Sequence, residues 1–157
     1  MNYLAHLHLG GPQPAQLLGS LYGDFVKGRL QGQWPDEIER AIQLHRRIDA
    51  FTDSHPLVHA AKRRFPLERR RFAGVLLDVF FDHCLARIAP RMAAQDWLGS
   101  YREFAVLREV LGGMSRRLSR PHLLDGSWEE LAQRYDDLSA DFRAFYPQLQ
   151  AFALSQR

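Results

Sequence analysis

The segment VLLDVFFDHCL at residues 75–85 constrains the fold more than any other part of the sequence. A helix with this sequence is apolar on nearly every side, so we expect a helix from about Arg69 to Arg87 at the centre of the protein. Asp78 and Asp82 are four residues apart and therefore share one face of that helix. An unpaired carboxylate in an apolar interior costs several kcal/mol or loses its charge, so the sequence requires a compensating group there.

The remaining segments also have helical spacing, and alternating β-branched residues are scarce, so the sequence predicts an all-α fold. With 157 residues, 46% of them hydrophobic, and no linker-like stretch, we expect a single-domain helical bundle over residues 1–157. The segment HLHL at residues 6–9 fits both an extended stub and a helical turn. Further helices are predicted at 13–27, at 34–51, from Pro56 to before Pro66, from Trp97 to a close at Gly112-Gly113, and from a capping box at Ser127–Glu130 onward with a kink at Pro147.

The cysteine count and the N-terminus limit the cellular setting. A single cysteine, Cys84, excludes a disulfide within the chain and any multi-cysteine zinc site. The opening MNYLAHLHLG has no basic leader, and no stretch reaches the roughly 18 to 20 uncharged residues of a transmembrane helix. We therefore expect a cytoplasmic protein in which His, Asp and Glu hold any metal.

Acidic and imidazole side chains continue the apolar rows of two further predicted helices. His45 and Asp49 continue, at helical steps of three and four, the row that the isoleucines of the 34–51 helix begin. Asp24 continues a row of leucines in the 13–27 helix in the same way. For each acid taken alone, a buried salt bridge with an arginine such as Arg46 or Arg47 is the simplest explanation.

Three separate helices with acid or imidazole on the core side favour a divalent cation site of the Mn or Mg type. Such ions prefer hard oxygen ligands, with one or two imidazoles in addition. His6 is a candidate imidazole ligand if the HLHL segment folds over the end of the bundle. His83 lies on a different side of its helix from Asp78, and both a pocket-edge role and a purely structural role stay open for it.

The segment KRRFPLERRR at residues 62–71 carries six cations and one acid. Such a cluster attracts an acidic protein, a nucleic acid or an anionic membrane surface, whereas the simpler alternative is a solvated helix end and loop. No aromatic residues alternate with the cations as a stacking ladder, which disfavours nucleic acid. The six cations are Lys62, Arg63, Arg64, Arg69, Arg70 and Arg71.

The sequence lacks the motifs of several other enzyme classes. It contains no glycine-rich phosphate loop, no G-x-S-x-G nucleophile elbow and no H-E-x-x-H zinc helix. Cys84 directly follows His83, and adjacent helical residues point about 100° apart, which disfavours a Cys–His nucleophilic pair. A metal-activated water is the simplest remaining chemistry.

A set of short motifs in a fixed order resembles the bacterial acyl carrier protein phosphodiesterase family. Each motif is weak alone, but their order and spacing are specific and extend over nearly the whole chain. The motifs are NYLAHLHL at 2–9, GDFVKG at 23–28, HRRID at 45–49 with TD at 52–53, LDVFFDH at 77–83, DWLxxY at 96–101 and AFYP at 144–147.

The resemblance implies a helical fold similar to the HD-domain phosphohydrolases and removal of 4′-phosphopantetheine from holo acyl carrier protein. It also implies a divalent cation, most often Mn²⁺, with Mg²⁺ and Fe²⁺ as alternatives. We expect Asp24 and Asp78 as ligands, and His6, His45, Asp49 and Asp82 as further ligands or as residues that orient them. On chemical grounds, Arg46 and Arg47 are candidates to stabilise phosphate oxygens, and His83 to protonate the departing serine alkoxide.

The resemblance also gives the basic run at 62–71 a specific partner. Acyl carrier proteins are acidic around the modified serine, so the six cations are expected to steer that protein, with no nucleic acid and no membrane involved. The chain departs from the family pattern between His83 and Asp96, where family members carry a longer stretch. Two alternatives stay open: a phosphohydrolase of nucleotides or other small esters, and a non-enzymatic basic docking module. The sequence gives no oligomeric state.

Overall fold

The computed structural model describes residues 1–89, 103–115 and 124–157. These residues form eight α-helices and one 3-10 helix, and no strand occurs in the three ranges, which confirms the all-α prediction there. The likeness to HD domains stays a prediction. The helices are α1 Tyr3–Gly10, α2 Pro14–Tyr22, α3 Asp36–Ser54, α4 Pro56–Arg63, the 3-10 helix Arg70–Phe72, α5 Ala73–Ile88, α6 Val106–Ser115, α7 Ser127–Gln133 and α8 Tyr135–Ser155.

Helix α5 is the central element, as the sequence predicts. It contacts α1, α4, α6, α7, α8 and the 3-10 helix that precedes it. Its apolar side chains are buried on nearly every side, and this burial supplies much of the free energy that holds the bundle together. Asp82 and His83 are buried with them, so both polar groups require hydrogen-bond partners inside the protein.

Helices α2 and α3 approach each other closely at Gly19. A Cβ atom at Gly19 would lie 2.4 Å from the Ala41 Cβ and 2.7 Å from the Ile38 carbonyl oxygen. Only a residue without a side chain allows this approach, which places the turn that follows α2 beside the middle of α3.

In the first half of the chain the structure decides one open alternative and changes one predicted boundary. The HLHL segment is helical and belongs to α1. The helix predicted at 13–27 ends at Tyr22 and is followed by a turn over residues 23–25, in which the Tyr22 carbonyl accepts the amides of both Phe25 and Val26. Asp24 therefore lies in a turn and not on a helix.

The predicted long C-terminal helix is wrong in two respects. Helix α7 begins after Gly126, which has a φ of 76°, so Ser127 is a helical residue and not the cap. The predicted capping box does not form, and Glu130 instead binds Arg69, whose Nε lies 3.1 Å from its carboxylate. The chain also breaks between α7 and α8 at Arg134, whose Nε binds the Arg64 carbonyl at 2.8 Å.

Helix α6 also differs from its prediction. Residues 103–105, which the sequence places inside this helix, form a bend and turn, and the helix continues through Gly112-Gly113 to Ser115, so the predicted C-terminal end is wrong. Residues 97–102 of that prediction lie outside the described residues. None of the described helices combines the length and apolar character needed to cross a membrane.

The close approach of α2 and α3 can be tested by adding one methyl group. Gly19→Ala is expected to lower the free energy of unfolding by about 1–3 kcal/mol, because the methyl group overlaps the α3 backbone. Gly74→Ala is the matched control, since the nearest atoms to a Cβ in α5 lie 3.7 Å away. That variant is expected to be neutral or more stable by up to about 1 kcal/mol. Urea denaturation measures both, and equal stabilities would contradict the close packing.

Candidate metal centre

Helices α1 and α3 bring two buried histidines and a carboxylate together. Ligand atoms of His6, His45 and Asp49 all lie within 4.8 Å of one another. The two imidazoles are stacked, with ring centroids 3.5 Å apart and ring planes at 9°, and each residue is only 2% exposed. Two imidazoles and a carboxylate are a donor set that suits first-row divalent cations.

The orientation of His45 is fixed by the backbone of α2. Its Nδ1 lies 2.8 Å from the Ser20 carbonyl oxygen, which can only accept, so Nδ1 donates. In a neutral imidazole the Nε2 atom then carries the lone pair, as in metal-bound histidines oriented by a carbonyl. Gly23 leaves the space for this ring, since a Cβ there would lie 2.1 Å from the His45 Cγ.

The Nε2 atom of His45 faces two carboxylates. It lies 3.4 Å from the Asp24 Oδ1 and 3.3 Å from the Asp49 Oδ2. It is buried and has no hydrogen-bond partner of good geometry among the described residues. A nitrogen lone pair and carboxylate oxygens repel one another unless a proton or a cation lies between them, so these three groups fit a divalent cation.

The second imidazole, His6, is close to the same carboxylate. Its Nε2 lies 3.0 Å from the Asp49 Oδ1 and 3.2 Å from the Met1 carbonyl oxygen, and its buried Nδ1 has no hydrogen-bond partner in the described ranges. Burial lowers the pKa of His6, although Asp49 opposes this effect. The neutral form is the one that binds metals.

Asp49 is the acid that the structure ties most closely to both histidines. Burial alone would raise the pKa of Asp49, but the neighbouring His45 and His6 and the N-terminal ammonium outweigh it and hold the pKa below its ordinary value. The carboxylate is therefore ionised at neutral pH and available as a ligand.

A positive group already occupies the space between Asp49 and Asp78. The N-terminal ammonium of Met1 lies 3.3 Å from the Asp49 Oδ1 and 3.2 Å from the Asp78 Oδ1. Burial raises the pKa of Asp78, and the ammonium opposes that effect. Asp78 thus borders the centre through a shared cationic neighbour and does not belong to the three-residue group of His6, His45 and Asp49.

Asp82 binds the N-terminal end of α1. Its two oxygens accept hydrogen bonds from the amides of Leu4 at 3.0 Å and Ala5 at 3.1 Å. Full burial raises the pKa of Asp82 to about 7, while these amides oppose the rise. Asp82 therefore holds the start of α1, the helix that carries His6, and its role as a ligand or as a residue that orients one stays a prediction.

Arg46 and Arg47 lie on different sides of α3. Arg46 lines the same cleft of about 330 Å³ as Asp24, His45 and Asp49. Arg47 is two residues beyond His45 and so points the opposite way. It binds the Gln156 side chain at 3.0 Å and lines a separate cavity of about 700 Å³, so the structure does not bring it to the centre.

His83 lies in an aromatic cluster on another face of α5. Its Nε2 is 2.8 Å from the Tyr135 hydroxyl, and its ring packs against Phe80 and Phe104. This placement supports the structural role that the sequence left open for it. Its role as a proton donor stays a prediction.

The basic run at 62–71 is partly neutralised within the protein. Lys62 lies 3.5 Å from Asp53, Arg64 lies 2.7 Å from Asp141, and Arg69 lies 3.1 Å from Glu130. These pairs hold α4 and the following loop against α3, α7 and α8. The exposed remainder is Arg63, Arg70 and Arg71, and a partner-binding role for the run stays a prediction.

Sequence reasoning missed three groups of the centre: the Ser20 carbonyl, the Gly23 gap and the N-terminal ammonium. A backbone carbonyl carries no sequence signal. Gly23 is part of the GDFVKG motif, so a glycine directly before a candidate ligand was the available signal for a close approach.

The described residues thus define an all-helical protein with a histidine–carboxylate centre suited to a divalent cation. The chain belongs to the acyl carrier protein phosphodiesterase family, whose sequence model matches residues 1–89 and 85–149. The two matched segments overlap at residues 85–89, within the stretch between His83 and Asp96 that the resemblance predicts to be short.

Individual relatives agree with this assignment. The chain is 35% identical to the acyl carrier protein phosphodiesterase of Pectobacterium atrosepticum, and the alignment covers 100% of both chains over 192 positions. It is 35% identical to the proteins of the same name from Photorhabdus laumondii, covering 94% of this chain and 92% of the relative, and from Yersinia pestis, covering 94% of each. No solved structure matches the chain.

The placement of His45 can be tested through Gly23. Gly23→Ala is expected to displace the imidazole, because the new methyl group would overlap its Cγ, and so to weaken Mn²⁺ binding by about 10–100-fold, as for loss of an orienting partner. Isothermal titration with Mn²⁺ measures the affinity, with Gly74→Ala as the control. An unchanged affinity in Gly23→Ala would mean that His45 does not hold the metal in this orientation.

Proposed function

We propose that this protein is a metal-dependent phosphodiesterase that releases 4′-phosphopantetheine from the serine of holo acyl carrier protein. The family assignment supports the activity, because relatives aligned over nearly their full length carry that name. The observation that carries the metal dependence is the buried His45 Nε2 that faces the oxygens of Asp24 and Asp49.

The cation would be held by His45, Asp49, Asp24 and His6. Mn²⁺ is the proposed ion, with Mg²⁺ and Fe²⁺ as alternatives. When bound, the ion would lower the pKa of a water molecule and offset charge on the phosphodiester. Asp78 remains a proposed ligand on the side of the centre now taken by the N-terminal ammonium.

The chain's own groups prepare the centre for this role. The Ser20 carbonyl fixes the tautomer of His45, and the ionised Asp49 provides negative charge at neutral pH. The Asp24 side chain is 47% exposed, so the centre opens to solvent on that side and a phosphodiester can approach. Asp82 holds α1 in place through two buried hydrogen bonds, which its oxygens accept from the Leu4 and Ala5 amides.

Mass spectrometry of holo acyl carrier protein before and after incubation with the protein and Mn²⁺ tests the activity directly. Loss of the phosphopantetheine arm identifies both the substrate and the bond that breaks. Asp49→Asn is expected to lower the rate by at least about 100-fold, because the carboxylate that contacts both histidines is lost. Asp36→Asn, at the exposed start of α3, is the matched control and should retain activity.

Several outcomes would contradict this proposal. An intact arm after incubation with the wild-type protein, together with hydrolysis of nucleotides or other small esters in a parallel panel, would favour the small-substrate phosphohydrolase. Wild-type protein that takes up no divalent cation and cleaves neither substrate would favour the non-enzymatic docking module.

The basic run at 62–71 is proposed to steer the acidic carrier protein to the centre through its exposed arginines. Under this proposal, raising the salt concentration from about 0.01 to 0.15 M should slow attack on the carrier protein far more than attack on a small phosphodiester. Initial rates of both reactions at several salt concentrations measure the difference. Equal salt sensitivity of the two reactions would remove the steering role.

A further inference from the structure

The turn after α2 forms one wall of the cleft that contains the metal centre. On this side the cleft is lined by Gly23, Asp24, Val26, Lys27 and Gly28. The opposite side is lined by His45, Arg46 and Asp49 of α3. The turn is closed at its start by the Tyr22 carbonyl, which accepts the Phe25 and Val26 amides at 2.9 Å each. Gly28 ends it with a φ of 77°, a value that favours glycine.

Arg46 ties this turn to α3 through its backbone. One guanidinium nitrogen donates to the Gly28 carbonyl at 2.8 Å, and the other terminal nitrogen donates to the Val26 carbonyl at 2.7 Å. These two carbonyls belong to the residues on either side of Lys27. The planar fork of Arg46 therefore fixes the backbone that carries Lys27, and each terminal nitrogen uses one of its two N–H groups for this purpose.

Lys27 is the second cation in the lining of the cleft. It is exposed, and within the described residues it forms no ion pair. The acids of the same lining, Asp24 and Asp49, face His45 and would be neutralised by a divalent cation. With that cation in place the cleft carries net positive charge, and Lys27 is the group that adds a contact for an anion.

We propose that Lys27 is the residue of the metal cleft that contacts the anionic phosphate group, and that Arg46 is a positioning residue that holds the 26–28 backbone and Asp24. The identity of the anion as a phosphodiester rests on the proposed function. This assignment replaces the phosphate-contacting role that the sequence predicts for Arg46.

Binding of inorganic phosphate to the Mn²⁺-loaded protein, measured by isothermal titration, tests the role of Lys27 without turnover. Lys27→Met is expected to weaken phosphate binding about 10-fold, the usual loss for a hydrogen bond to a charged group, and to leave the Mn²⁺ affinity unchanged. Arg29→Met removes the same charge two residues away, outside the cleft lining, and is expected to bind phosphate like the wild type. Equal phosphate affinities in Lys27→Met and Arg29→Met would overturn the assignment.

The role of Arg46 is tested by its effect on the metal. Arg46→Met is expected to weaken Mn²⁺ binding about 10-fold or more together with phosphate binding, because the turn that carries Asp24 loses its attachment. Arg46→Lys can reach one of the two carbonyls and is expected to recover part of the Mn²⁺ affinity. An Arg46→Met variant that keeps the wild-type Mn²⁺ affinity and loses only phosphate binding would instead make Arg46 the phosphate contact.

The test separates this inference from the proposed function. If the wild-type protein leaves holo acyl carrier protein intact but Lys27→Met still weakens phosphate binding, the proposed substrate fails and the inference stands. If the wild-type protein cleaves the carrier protein and Lys27→Met binds phosphate normally, the inference alone fails.

Discussion

The hydrogen bond from the His45 Nδ1 to the Ser20 carbonyl is the interaction on which the centre depends. It joins α3 to α2 and decides which ring nitrogen carries the lone pair. It can form because Gly19 and Gly23 have no side chains. A side chain at Gly19 would push α2 and α3 apart, and one at Gly23 would occupy the place of the His45 ring. The close packing of α2 against α3 therefore also determines how His45 is oriented as a candidate ligand.

A second buried attachment completes the centre from the other side. Asp82 in α5 binds the first amides of α1, and this places His6 in a stack with His45. The central helix thus contributes to the site by holding α1, while Asp78, one turn earlier, faces the N-terminal ammonium. A fully buried carboxylate costs considerable desolvation energy, and the two amide hydrogen bonds offset part of that cost.

The sequence could predict the residues that lie on regular rows. His45 and Asp49 were found because they continue an apolar stripe, and the central position of α5 followed from its apolar character on all sides. The break at Arg134 was not predictable, because the apolar period continues across it and Arg134 binds the Arg64 carbonyl just after α4, a residue far away in the sequence. The different partners of Asp78 and Asp82 could not be predicted either, because both residues lie on one face of α5. Only the position of α1 against that face gives Asp82 the α1 amides and Asp78 the N-terminal ammonium. Arg46 differs from Arg47 for the same reason, because its partners are backbone carbonyls of a turn whose path the sequence does not give.

In the proposed centre, the buried Nε2 of His45 would face a divalent cation. Titration of the purified protein with Mn²⁺, followed by the electron paramagnetic resonance signal of the free ion, tests it most directly when His45→Ala is compared with His59→Ala, a substitution of an exposed histidine in α4. Wild type and His59→Ala are expected to deplete free Mn²⁺ stoichiometrically, whereas folded His45→Ala is not. Equal uptake by both variants, or no uptake by the wild type, would contradict it.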